Sequence, residues 1–217
     1  MSGRTSAGTV ITLIIVAAGF SLAAEGQAPT VVTFDAVKPG TLPSGFRALS
    51  SNAREPGKWE AGKIAETRVL SQTDLGRRGY RLAILQDVQA RDVTVGVRLR
   101  TGQGDRAAGV AWRVQDADNY YAARLDFESR EVVLYKFVGG NRVRLAGTSG
   151  IRVDADTWHE LLVEHDDDKI RVWLNGVPVA SDRDGSLREA GSVGFWMPGD
   201  GTAHFSRLWY GPVPRGR

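Results

Sequence analysis

The chain of 217 residues contains no cysteine. A disulfide framework, a thiolate zinc site and a thiol nucleophile are excluded together. Only three histidines are present, His159, His165 and His204, so little material exists for a transition-metal cluster. No segment of ten or more residues carries helical periodicity. No apolar run reaches the roughly 20 residues of a membrane-spanning helix. A large charge of one sign is missing too. The 28 basic and 25 acidic residues leave a net charge of +3. The basic pI of about 9.4 therefore reflects a small arginine excess, not a polyanion-binding surface. The arginines are scattered among acids instead of forming the basic and aromatic stripe that a nucleic acid needs, so no nucleic-acid partner is expected. Hydrophobic residues make up 42% and charged residues 24% of the chain, the balance of a folded domain.

The N-terminal residues have the layout of a secretory signal. Arg4 supplies a positive start, Val10 to Phe20 is almost wholly apolar, and Ser21, Leu22, Ala23 and Ala24 suit signal peptidase. The 15 residues from Val10 to Ala24 are short for an uncleaved anchor. Residues 1–24 are expected to be a cleaved signal peptide and 25–217 a single domain working outside the cytoplasm, periplasmic or secreted, with no membrane contact after cleavage. Cleavage removes one positive charge, Arg4, and no negative one, leaving +2 from +3. Without cysteine, an exported domain must rely on a conventional core, and about 190 residues suffice for one.

That body reads as strands. Val93, Val95, Val97 and Leu99 alternate with Thr94, Gly96, Arg98 and Arg100. Gly102 to Asp105 is a polar turn, and Gly109 to Val114 alternates again. Further strands are expected over Tyr120–Asp126, Glu131–Val138, Arg142–Ala146, Trp158–His165, Ile170–Leu174, Val177–Ala180, Gly191–Met197 and Ala203–Tyr210. Gly139-Gly140-Asn141 and Asn175-Gly176 are the clearest tight turns. Ser186 to Ala190 could make one helical turn. Val31 to Ala90 has weaker periodicity, which predicts edge strands and long loops. More than ten short strands without helices imply an all-β antiparallel sandwich or barrel.

Several segments carry a family resemblance. They are Ala108-Gly-Val-Ala-Trp-Arg-Val-Gln-Asp-Ala-Asp-Asn-Tyr-Tyr-Ala-Ala-Arg124, Trp59-Glu60, Val133-Leu-Tyr-Lys-Phe-Val-Gly-Gly-Asn141, Trp158-His159, Val172-Trp-Leu-Asn-Gly176 and Ala190-Gly-Ser-Val-Gly-Phe-Trp196. In order and spacing, over roughly residues 31–212, the chain resembles the concanavalin A-like and laminin-G-like jelly rolls of exported bacterial proteins. It is especially similar to the 3-keto-disaccharide hydrolase domain family, related to family 16 glycoside hydrolases. The resemblance implies two packed antiparallel sheets with a concave face that often meets carbohydrate. Hydrolase or lyase action on glycosides or 3-keto-glycosides would need Glu60, Asp126 or His204 as acid/base groups. A protein-interaction module, as laminin-G-like domains often are, is the third reading.

Catalytic motifs are incomplete. A retaining family 16 glycosidase needs Glu-x-Asp-x-x-Glu along one strand, with the carboxylates close together. Asp126-Phe-Glu128-Ser-Arg-Glu131 has the wrong order and straddles a hairpin. His159-Glu160-Leu-Leu-Val163 lacks the second histidine of a zincin helix; His159 and His165 share an apolar strand face and read as core-edge histidines. No metal site is expected from these histidines. Calcium is the metal that loop carboxylates such as Asp35, Asp116 and Asp118 would suit. Related folds often bridge first and last strands with calcium, but here the last strand reads His204-Phe-Ser-Arg207, which disfavours it. No Gly-x-Ser-x-Gly elbow is present.

What remains is a polar face. Arg98, Arg113, Tyr120, Arg124 and Trp196 fall on outward parities of the central strands. If those strands are neighbours, they bring guanidinium forks beside aromatic rings. Such forks match hydroxyls and carboxylates, and aromatic faces stack on sugar rings. The leading expectation is carbohydrate recognition by these five residues on the concave face. The alternative is that the arginines pair with acids such as Asp126 and Glu131 to hold the sheet.

Overall fold

A computed structural model describes residues 28–52, 55–75, 78–104 and 106–214. The signal segment, 1–24, lies outside them. Fifteen strands are found among the described residues: β1 (Thr30–Val32), β2 (Phe46–Ser51), β3 (Trp59–Ile64), β4 (Thr67–Gln72), β5 (Tyr80–Leu85), β6 (Val93–Gly104), β7 (Ala107–Val114), β8 (Tyr120–Asp126), β9 (Glu131–Val138), β10 (Asn141–Ser149), β11 (His159–Asp166), β12 (Lys169–Leu174), β13 (Val177–Arg183), β14 (Ser192–Pro198) and β15 (Gly201–Gly211). No helix occurs among the described residues. Ser186 to Ala190, expected as one helical turn, is an irregular loop instead. There Asp184 accepts from the Ser186 backbone N–H at 3.0 Å and its hydroxyl at 2.5 Å. A short acceptor two residues back competes with helix in this way.

The strands form two antiparallel sheets. One has eight strands in the order β13-β12-β11-β6-β15-β4-β3, with β1 also paired to β15. The other has seven, β10-β9-β8-β7-β14-β5-β2. The weakly periodic segment before Ala90 does supply edge strands, β2 and β3, but β4 and β5 are interior. Strand β6 runs through the expected turn at Gly102 to Gly104.

Alternation fixes which face each strand presents to the core. Val93, Val95, Val97 and Leu99 pack inward with Leu161, Val163, Ile170 and Val172 of the same sheet. Against them lie Val110, Trp112, Tyr121, Leu125 and Phe195 of the other. Phe195 and Phe205, one from each sheet, meet with ring centroids 4.4 Å apart. Tight turns follow the residues that tolerate a left-handed backbone. Asn175 and Gly176 have φ of 50° and 79°, and Gly139 and Gly140 of 55° and 76°, as two-residue hairpins of the right twist require.

Candidate functional site

The seven-stranded sheet has a second apolar cluster on its outer face. Leu82, Ile84, Tyr120, Phe137 and Trp196 are fully buried there, with Tyr80 and Leu49 against them. Tyr120 stacks on Phe137 at 4.3 Å and Tyr80 on Trp196 at 5.2 Å. The Trp196 indole N–H donates to the Tyr120 hydroxyl at 3.3 Å. Burial pushes the Tyr120 phenol pKa up, so it stays protonated.

Rings on an outer face are buried because the sheet curls over them. Ser51, at the end of edge strand β2, donates to Asp118 Oδ1 at 3.2 Å. Asn52 Nδ2 donates to the Gly140 carbonyl at 2.7 Å. Asp118 precedes β8, four strand spacings from β2. In a flat sheet these would lie about 19 Å apart. The coiling of a twisted sheet brings two diagonal corners together, and their contact bridges the face.

Two hollows are lined by residues of or beside the strands of this sheet. The larger, about 350 Å³, is lined by Arg47, Gln86, Gln89, Val114, Gln115 and Ser192. It has no aromatic wall, and two of its three amides are engaged: Gln86 Nε2 donates to the Phe46 carbonyl and Gln89 Nε2 to Ser192 Oγ, both at 3.2 Å. The smaller, about 190 Å³, is lined by Arg78, Tyr80, Arg124, Arg142, Pro198 and Asp200. The Arg142 guanidinium lies over the Tyr135 ring at 5.0 Å and the Tyr80 ring at 5.6 Å. Arg124 lies 5.7 Å from the same Tyr135 ring. Its Nη2 also pairs with Asp126 at 2.9 Å and Glu131 at 3.2 Å. The smaller hollow thus joins cationic forks, aromatic rings and one carboxylate.

Of the five residues expected to form a polar patch, three share this face. Tyr120 and Trp196 are its buried floor, and only Arg124 lines the hollow. Arg98 points outward as expected, but from the opposite sheet. There it covers the Trp158 ring at 4.9 Å and bonds Ser206 Oγ at 3.4 Å. Arg113 is not on a face at all. A bulge against β14 and a φ of 46° turn it off the alternation into full burial. Its guanidinium donates to the carbonyls of Arg91 at 2.6 Å, Asp167 at 2.9 Å and Leu187 at 3.0 Å. Arg113 is therefore a buried structural tie and Arg98 belongs to another surface; the expected five-residue patch does not form. The residues that complete the hollow, Arg78, Tyr80, Arg142 and Asp200, and the buried Tyr135 under its two arginines were not expected. Tyr135 shares the parity of Phe137, and Arg142 follows the Gly139-Gly140 turn, so those two carried a signal.

The acid/base candidates do not converge. Glu60 and His204 lie on the outer face of the eight-stranded sheet, whereas Asp126 is on the other. Glu60 pairs with Lys58 at 2.9 Å, and that contact holds its carboxyl below the usual range despite some burial. His204 Nδ1 meets Ser71 Oγ at 2.8 Å; burial and then Arg100 lower its pKa. Asp126 caps its hairpin, accepting from Glu128 and Ser129 N–H at 3.0 Å each. His159 faces the core edge, its Nε2 2.8 Å from the Asp154 carbonyl. Two of the loop carboxylates considered for calcium are hydrogen-bonded within the protein. Asp116 accepts from the Asp118 backbone N–H and from Asn119 Nδ2, and Asp118 accepts from Ser51. Among the described residues no three His, Asp or Glu side chains gather as metal ligands.

Comparison of the backbone with solved structures settles the architecture. A carbohydrate-binding module, CBM66 from Bacillus subtilis, superposes with a TM-score of 0.60 at 21% identity over 77% of this chain and 95% of that one. A β-glucanase from Bacillus licheniformis gives 0.59 at 10% identity, over 85% and 98%. The exoplasmic/lumenal domain of VIP36, bound to Ca²⁺ and Man3GlcNAc, gives 0.57 at 13% identity, over 80% and 86%. The fold is a concanavalin A-like jelly roll. No protein-family model and no curated protein matches the chain, so the likeness is one of fold.

Proposed function

We propose that this jelly roll is an extracytoplasmic carbohydrate-recognition domain that holds one sugar residue in the hollow of Arg142, Tyr80, Arg124 and Asp200. The single observation that carries this is the convergence of two guanidinium groups on the Tyr135 ring beside an exposed carboxylate. Hydroxyls need paired donors and acceptors, and the hollow supplies both. Its volume, about 190 Å³, is below the roughly 300 Å³ at which small-molecule sites usually begin. It therefore suits a single residue, such as a chain end, instead of an extended oligosaccharide. Structural likeness to a carbohydrate-binding module and to the VIP36 domain bound to Man3GlcNAc supports the class of ligand. The resemblance to 3-keto-disaccharide hydrolases gains no support from Glu60, Asp126 and His204, which are spread over two sheets.

The test is a glycan array followed by calorimetry of the hits. Binding that is lost on Arg142→Ala, with the far-UV spectrum unchanged, supports the reading. Absence of binding to every glycan at millimolar concentration counts against it and favours the protein-interaction alternative. Steady turnover of a 3-keto-disaccharide would return the hydrolase reading. Amino-terminal sequencing of the exported protein tests cleavage after Ala23 or Ala24.

A further inference from the structure

We infer that the sugar residue held in this hollow is anionic, bearing a carboxylate or a sulfate. The inference rests on the carbohydrate reading above and narrows its ligand class.

It comes from how the arginines are used. The Arg142 side chain is exposed, and its guanidinium carbon lies over two rings, 5.0 Å from the centroid of Tyr135 and 5.6 Å from that of Tyr80. A guanidinium held over aromatic rings keeps its N–H donors for an anion. It also occupies the ring faces. A neutral sugar gains most from a bare aromatic face beneath its C–H groups, and here the guanidinium has taken that place. The hollow therefore offers forks where a neutral-sugar site would offer rings.

Partnering points the same way. Arg124 and Arg144 are both tied to Glu131, at 3.2 and 3.3 Å, and Arg124 also to Asp126. Among the described residues, no carboxylate lies within ion-pair distance of Arg142 or of exposed Arg78. Arg124 Nε, fully buried, has no acceptor among the described residues. Among the described residues Asp200 is the one acid in the lining, and being exposed it can accept from a hydroxyl. Two unpaired forks and one acceptor match a sugar with one anionic and several hydroxyl substituents. Bidentate pairing of guanidinium with carboxylate or sulfate is the stronger interaction of its kind.

The experiment compares an acidic oligosaccharide with its neutral ester, and both with sulfate in bound and free form. Oligogalacturonate, its fully methyl-esterified form, a sulfated oligosaccharide and inorganic sulfate are titrated calorimetrically into the whole domain at low and physiological salt. One charged oligosaccharide, uronate or sulfated, should bind about ten-fold tighter than the neutral ester, with the preference shrinking as salt rises. Which of the two wins identifies the anionic group. Arg142→Gln and Arg78→Gln should each remove most of that preference while unfolding midpoints stay unchanged. Arg142→Lys should restore only part of it, because an ammonium cannot fork. Equal affinity for acid and ester overturns the inference but leaves the carbohydrate reading intact. No binding by any of the oligosaccharides overturns the inference, and the glycan array then decides the wider reading. Inorganic sulfate binding as tightly as the oligosaccharides would show an anion site without sugar recognition, which overturns it too.

Discussion

His165 should make this sandwich acid-sensitive in a specific window. Its side chain is fully buried on β11, and Nδ1 accepts the Trp112 indole N–H at 2.9 Å. Tyr121 meets its ring edge-on at 5.0 Å. Protonating Nδ1 would set two N–H donors against each other inside the core. Burial first, and then the neighbouring Arg113 cation, lower its pKa from 6.5 to about 4, although the backbone of Asp184 and the charges of Asp92 and Asp184 pull the other way. The unfolded chain therefore takes up a proton near pH 6.5 that the folded chain refuses until about pH 4. Stability from this group is complete above pH 6.5 and is lost as pH falls through that window, by about 3 kcal/mol in all. The perturbation is His165→Gln, whose amide oxygen can still accept from Trp112 but does not titrate. Urea unfolding at pH 7.5, 6.5, 5.5 and 4.5, followed by tryptophan fluorescence, gives the free energy at each pH. Wild type should lose about 2 to 3 kcal/mol more than the variant across this range. His204 titrates in both proteins and cancels. Asp184, lowered by Lys136, Ser186 and Tyr121 against the opposing effect of its burial, loses its contribution only below its ordinary 3.8. Parallel pH profiles for the two proteins would refute the reasoning.

Three further outcomes follow from the same geometry. Arg113→Met strips donors from three backbone carbonyls and should cost about 3–5 kcal/mol, read as a shift in denaturation midpoint. Gly109→Ala places a methyl against the Ala123 carbonyl of the neighbouring strand, so β7 and β8 cannot pair as they do; the variant should be recovered largely insoluble, and a soluble protein with native fluorescence would contradict this. Ser51→Ala with Asn52→Ala opens the bridge and should cost about 1–3 kcal/mol for two hydrogen bonds, with increased acrylamide quenching as Trp196 becomes accessible.

Local patterns revealed the strands and their facing, but not their sheet. Val93 to Arg100 alternates so regularly that Arg98 had to point outward, and it does. Alternation has no information on which neighbours a strand takes. β6 pairs with β11 and β15, whereas β7, the next strand, joins the other sheet. That single crossing separates Arg98 from Arg124. Arg113 was misplaced for another reason: a bulge adds one residue and reverses the parity after it, and nothing in Trp112-Arg113-Val114 announces one. Tyr120, Arg124 and Trp196 did fall together, since β8, β7 and β14 are consecutive neighbours. Arg78 and Asp200 sit outside strands, where no periodicity operates, so only the folded arrangement brings them to the hollow.

The order of strands has a bearing on how the molecule is assembled. β14 stands between β7 and β5 in one sheet, and β15 between β6 and β4 in the other. Until these last two strands are made, twelve of the earlier thirteen can form only separate ribbons with open edges, β10 to β7 and β5 with β2 on one side, β13 to β6 and β4 with β3 on the other, and β1 has no partner. These last two strands, one in each sheet, then act as keystones for both layers. Folding must wait for them, at the cost of long-range closure, and a chain cut short before Ser192 would expose four edges that the sandwich keeps paired, those of β4, β5, β6 and β7, the kind of surface on which strands of other molecules assemble.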